Sequence, residues 1–187
     1  MVDTNAIATA LETIAINYQS SFTAKTYNDE NDDYDCVMDL FGISPTLKRE
    51  NRQYWGRELG MCWQLFVCEV VRQTRDDYGP ALRFGADEPC DLVFGQTAID
   101  TKYRIGSGDS GTLKKFKQYG ALLKGKGYNP VFLIVRKDNL SAAITACRKG
   151  GWAVHTGEST FAFIQEYTGF DLQMFLRQRA GAFQIDR

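Results

Sequence analysis

The chain has 187 residues, 44% of them hydrophobic, and 22 basic against 23 acidic side chains give a net charge of −1. That length suits one domain with one substantial core, and no run approaches 18 consecutive apolar residues, which excludes a helical membrane span. A single histidine argues against His-metal nuclease, His-based hydrolase and His-rich zinc chemistry, each of which needs placed imidazoles.

Residues 4–19 carry Ile7, Ala10, Leu11, Ile14 and Tyr18 at helical spacing, so an amphipathic helix is expected to open the chain. Asp3 precedes these positions and no basic region does, so a signal peptide is not expected. The five cysteines form no C-x-x-C pair, the pattern of reduced thiols in a cytoplasmic protein. Residues 27–39 hold six acids and no cation. This stretch resembles a calcium loop only loosely, because the turn glycine and closing glutamate are missing, and a solvated acidic loop is expected.

A long helix is expected over residues 46–75, capped by Thr46, with Leu59, Cys62, Trp63, Phe66 and Val70 on one stripe. Glu58 and Glu69 lie on another face, about 16 Å apart along the axis, so only one of them can serve a single site. Gly56 and Gly60 bracket Glu58 and permit close backbone approach, which favours Glu58.

Next comes Asp91-Leu-Val-Phe-Gly-Gln-Thr-Ala-Ile-Asp100-Thr-Lys102. Residues 98–103 alternate with period two and read as a strand. Asp100 and Lys102 then share a face, their Cα atoms roughly 6–7 Å apart. Gly95-Gln96-Thr97 reads as a hairpin turn, which returns Asp91 to the Asp100 and Lys102 end. Two carboxylates and an ammonium meeting there outline a divalent-metal hydrolase site. Hard Asp oxygens hold Mg²⁺, and a lysine beside it can orient or deprotonate the attacking water and stabilise developing charge.

Beyond Lys102, residues 101–127 hold seven cations against one acid, a basic block suited to a phosphate backbone. Gly106-Ser-Gly-Asp-Ser-Gly111 reads as a loop and is no P-loop, because no Gly-Lys-Ser/Thr follows. Arg104, Ser107, Asp109, Lys114, Lys115 and Gln118 are the candidate DNA contacts, with Arg83 and Arg136 as further side chains for base edges. A helix is expected over residues 112–124, a buried strand over 131–135, a helix over 140–149 and a strand over 152–156. One or two helices, broken near Gly169, should fill 159–179. His155 reads as a half-buried strand histidine. The alternation gives an α/β fold, a mixed central sheet flanked by helices. Its single domain divides into residues 1–45, a core over 46–156 and C-terminal helices over 157–187.

Pro89-Cys90-Asp91 followed by Asp100-Thr101-Lys102 resembles the PD-(D/E)xK nuclease superfamily, with Cys90 inserted between the proline and the acid. Residues 99–119 also look like the ApaLI-type restriction enzymes. The resemblance covers residues 46–154 and implies a restriction-endonuclease-like α-β-β-β-α-β core. It further implies Mg²⁺, with Mn²⁺ able to substitute, held by Asp91 and Asp100, with Lys102 acting on water and an acid such as Glu58 assisting. The implied activity is that of a type II restriction endonuclease, a homodimer cutting double-stranded DNA at a short, palindromic sequence. The alternatives are a repair nuclease or junction resolvase with the same site, and a catalytically idle DNA-binding α/β module.

Overall fold

A computed structural model describes residues 30–106 and 108–185, together with Thr13, Ile16 and Gln19. The expected N-terminal stripe and Ser107 lie outside the described residues, while Thr13, Ile16 and Gln19 are helical and exposed. The described elements run α1 (Cys36–Leu40), α2 (Pro45–Glu50), α3 (Arg52–Thr74), β1 (Tyr78–Pro80), β2 (Leu92–Phe94) and β3 (Thr97–Lys102). Then follow α4 (Ser110–Gly125), β4 (Asn129–Ile134), α5 (Ser141–Lys149), β5 (Ala153–Thr156), α6 (Glu158–Thr168) and α7 (Leu172–Arg177).

The five strands form one sheet in the order β1-β2-β3-β4-β5. β1, β2 and β3 are antiparallel neighbours, whereas β3, β4 and β5 pair in parallel, so the α/β fold with a mixed sheet is the one observed. Parallel neighbours need crossovers, and α4 and α5 supply them. Both helices cover one face, over Ala98, Phe132, Ile134 and Trp152. α3, α6 and the short α1 and α7 cover the other, over Leu92, Ile99, Val131 and Leu133. Trp63 of α3 is fully buried there and donates its indole N–H to Leu133 O at 3.1 Å.

Local chemistry explains where the elements begin and end. The long helix expected over residues 46–75 is two helices. Ser44 caps the first by accepting from Leu47 N, and Pro45 occupies its first turn, where a missing N–H costs nothing. Asn51, at φ −154° and ψ 78°, leaves helical geometry and caps the second by accepting from Tyr54 N. Gly95, at φ 51°, opens the two-residue turn that joins β2 to β3, the conformation a primed hairpin turn demands. Gly169, at φ 71°, ends α6 in the left-handed region, which is the break expected there.

The acidic segment is exposed over residues 31–34, as expected of a solvated loop, but its flanks are tied down. Glu30 is ion-paired with buried Lys48, and Asp35 caps α1 while accepting from Tyr103 Oη at 2.5 Å. Arg136 reaches Asp33 O at 2.5 Å and Asn31 O at 3.1 Å. The segment therefore seals the C-terminal ends of β3 and β4 by charge pairing. His155 is half-buried on β5 and packs 4.9 Å from the Phe163 ring, and burial pushes its pKa down.

Candidate active site

The hairpin positions the site. Leu92 faces Ile99 across the antiparallel pair, and Asp91 N–H donates to Ile99 O at 2.7 Å. Asp91 therefore lies beside the end of β3, as the folded-back hairpin requires. Strand alternation puts Asp100 and Lys102 on the α4 and α5 face and Thr101 on the α3 face with Ile99 and Tyr103. Asp100 is 9% exposed, and its Oδ1 accepts from Lys102 Nζ at very short range. That ammonium also donates to Thr101 O at 3.1 Å and sits 5.9 Å from the Phe132 ring centre.

Asp91 is held differently. Its Oδ2 accepts both Thr101 N–H and Thr101 Oγ1–H, each at 2.6 Å. Asp91 Oδ1 and Asp100 Oδ2 accept no hydrogen bond among the described residues. Each acid thus has one oxygen fixed by the protein and one left over, and the leftover oxygens are hard donors suited to Mg²⁺ or Mn²⁺. No group of three His, Cys, Asp or Glu side chains is arranged to hold a metal among the described residues. An ion bound here would have two carboxylates and would complete its shell with water or phosphate, the usual habit of Mg²⁺.

Electrostatics follow from burial. Burial pushes the Asp100 carboxyl up to about 6, with the Lys102 ammonium opposing and the Asp91 charge adding to the rise. Burial alone would lower Lys102, but the charges of Asp100 and Asp91 outweigh it and raise its pKa. Lys102 is therefore an ammonium at neutral pH, better suited to orienting water and neutralising charge than to removing a proton.

The Asp100 shift has a measurable consequence. Its folded pKa lies above its ordinary 3.8, so the protonated form favours folding below about pH 4, and that contribution is lost as pH rises through 6. Asp100→Asn removes the titration. Without divalent ions, stability should move in favour of the variant, relative to the wild type, by about 3 kcal/mol between acid and mildly alkaline pH. Urea unfolding at each pH measures it, and parallel curves for the two proteins would refute it.

The remaining sequence candidates fall in different places. Glu58 is half-exposed and pairs with Arg57 at 2.9 Å, and Glu69 pairs with Arg72 at 2.7 Å and with Gln73. Neither hydrogen-bonds or ion-pairs with Asp91, Asp100 or Lys102. Gly60 of α3 lies over Tyr103, while the Cys68 thiol, raised chiefly by burial, also feels the Asp91 charge. Cys68 lies about 15 Å along the helix axis from Glu58. Arg104 is turned onto Asp138, with Nε 2.9 Å from the backbone oxygen and 3.1 Å from Oδ2, instead of being held out in solvent. Arg136 is 4% exposed and ion-paired with Asp35 and Asp138, which removes it as a reader of base edges. Asp109 caps α4 by accepting from Thr112 N and Oγ1. Lys114, Lys115 and Gln118 are exposed on α4, the helix that covers the Asp100 face.

A cavity of about 470 Å³ opens elsewhere, lined by Arg136, Glu158 and Arg177 among others, and holds none of these acids. Two of its cations are already paired, Arg136 with Asp35 and Lys137 with Glu158, and chemistry favours the hairpin site over volume. Thr101, the spacer of the motif, carries no charge to mark it in the sequence. Its hydroxyl on a buried strand, one residue from each charged group, was the available signal. No family model matches the chain, nor does any curated protein or solved structure.

Proposed function

We propose that this chain is a divalent-metal-dependent endonuclease acting on double-stranded DNA, of the type II restriction class. The observation that carries this reading is the hairpin that returns Asp91 beside the β3 residues Asp100, Thr101 and Lys102, with Asp91 bonded to Thr101 and Lys102 to Asp100. Among the described residues, each acid there keeps one carboxylate oxygen without a protein donor. Asp91 and Asp100 would hold Mg²⁺, or Mn²⁺ in its place. Such an ion supplies positive charge against the phosphodiester and a water of lowered pKa. Lys102, charged and anchored to Asp100, holds water or a phosphate oxygen beside the acids and neutralises charge that develops there.

Two further features support the assignment. The order α3-β1-β2-β3-α4-β4 is the α-β-β-β-α-β order that the sequence resemblance implies. α4 places exposed Lys114, Lys115 and Lys117 on the side of the sheet that carries Asp100, where a phosphate backbone would be held. A chain with one such site cuts both strands in one encounter most simply as a two-fold dimer on a palindrome.

The test is incubation with a plasmid of known sequence in Mg²⁺, Mn²⁺ and EDTA. Discrete linear fragments in either metal and intact plasmid in EDTA are expected. A smear would indicate a non-specific nuclease, and nicked circles a monomeric repair enzyme. Intact plasmid in both metals, or full activity in EDTA, would reject the mechanism.

A further inference from the structure

We infer that Thr101 is a positioning residue that aims the Asp91 carboxylate at the cation site, an inference that rests on Asp91 holding a divalent ion. Asp91 stands just before β2, at the margin of the sheet, where a side chain has several rotamers open to it. Two donors from one residue remove that freedom. Thr101 N–H and Oγ1–H converge on the same oxygen, Oδ2, at 2.6 Å each. One rigid strand residue thereby fixes both the position and the plane of the carboxylate and leaves Oδ1 facing away from its donors.

The placement suits the task. Thr101 is 5% exposed, with its side chain on the α3 face and its backbone between the two charged residues of the motif. Its carbonyl accepts from Lys102 Nζ at 3.1 Å, so the same residue also anchors the ammonium. Thr101 thus bonds both Asp91 and Lys102 without itself bearing charge. Ligands are oriented in this way by hydrogen-bonding neighbours, whose removal typically costs 10- to 100-fold in metal affinity.

The experiment measures Mn²⁺ binding by electron paramagnetic resonance on the full chain, beside thermal unfolding of each variant. Thr101→Val keeps the shape and the buried methyl but loses the hydroxyl donor, and Mn²⁺ affinity should fall about tenfold. Thr101→Ser keeps the donor and loses a methyl, so it should bind as the wild type does while unfolding at lower temperature. A purely packing role predicts the opposite order, with Val close to wild type in binding and Ser impaired, and that order would overturn the inference. Asp91→Asn separates the two levels of the argument. If Asp91→Asn abolishes Mn²⁺ binding while Thr101→Val binds normally, only the role of Thr101 fails. If the wild type binds no Mn²⁺, or Asp91→Asn binds as tightly as the wild type, the cation site fails and the inference falls with it. Should Thr101→Val not fold, Thr101→Ala tests the same donor and should show the same loss.

Discussion

Asp91→Ala, Asp100→Ala and Lys102→Ala should each lower the rate of plasmid cleavage in Mg²⁺ by at least about a hundredfold, the scale on which a charge-stabilising or acid–base group contributes. The three losses have different causes. Asp91→Ala removes a carboxylate whose free oxygen is set by Thr101, and Asp100→Ala removes the one beside the ammonium. Lys102→Ala leaves both acids in place and takes away the cation that offsets their repulsion. Metal binding should therefore survive in Lys102→Ala and be lost in the two acid variants. Folding should survive in all three. Asp91 and Lys102 are half-buried at the sheet margin, and loss of the Asp100 carboxylate removes a group whose ionisation burial opposes. Circular dichroism and single-turnover cleavage measure both points. Wild-type cleavage by Asp100→Ala would show that the three groups meet for another reason.

The parts of this site that the sequence made legible are those governed by local rules. Period-two alternation located β3 to within one residue, and Gly95-Gln96-Thr97 located the turn, though Thr97 already belongs to β3, and together they bring Asp91 back beside Asp100. The end of α6 at Gly169 was equally readable, whereas the caps Asp35, Ser44 and Asn51 were not. What escaped depends on partners distant in the chain. β1 is three residues ending in Pro80, too short to have a period, and exists because β2 pairs with it. The choice between Glu58 and Glu69 needed the rotation and slide of α3 on the sheet. No stripe of one helix supplies these; in the structure Gly60 lies over Tyr103, just past the end of β3. The acidic segment read as a solvated loop because each of its charges looked unpaired locally. Lys48, Tyr103 and Arg136, which pair with it, belong to α2 and to the residues that follow β3 and β4.

Arg136→Ala should destabilise the fold by about 3–5 kcal/mol, the range for breaking a buried ion pair by deleting one partner. The guanidinium side chain is 3% exposed and uses every nitrogen. Nε donates to Asp138 Oδ1 at 2.9 Å, Nη1 to Asp33 O at 2.5 Å and Asp35 Oδ2 at 3.3 Å, and Nη2 to Asn31 O at 3.1 Å. Deleting it leaves the largely buried Asp35 and Asp138 carboxylates without their cation, and unmet buried polar groups cost more than the hydrogen bonds gained. Arg136→Lys should recover little, because one ammonium cannot reach in three directions as the planar fork does. The penalty has a pH signature. Burial raises the Asp138 carboxyl, but the Arg136 hydrogen bond and its neighbours prevail and hold it below its ordinary 3.8. Its stabilisation is thus present above that value and lost as pH falls beneath it, so wild type and Arg136→Ala should converge in stability in acid. Urea unfolding at neutral and acid pH, with limited proteolysis of residues 30–35, reads both effects. An Arg136→Ala protein as stable as the wild type at neutral pH would mean that the acidic segment is not held by this side chain.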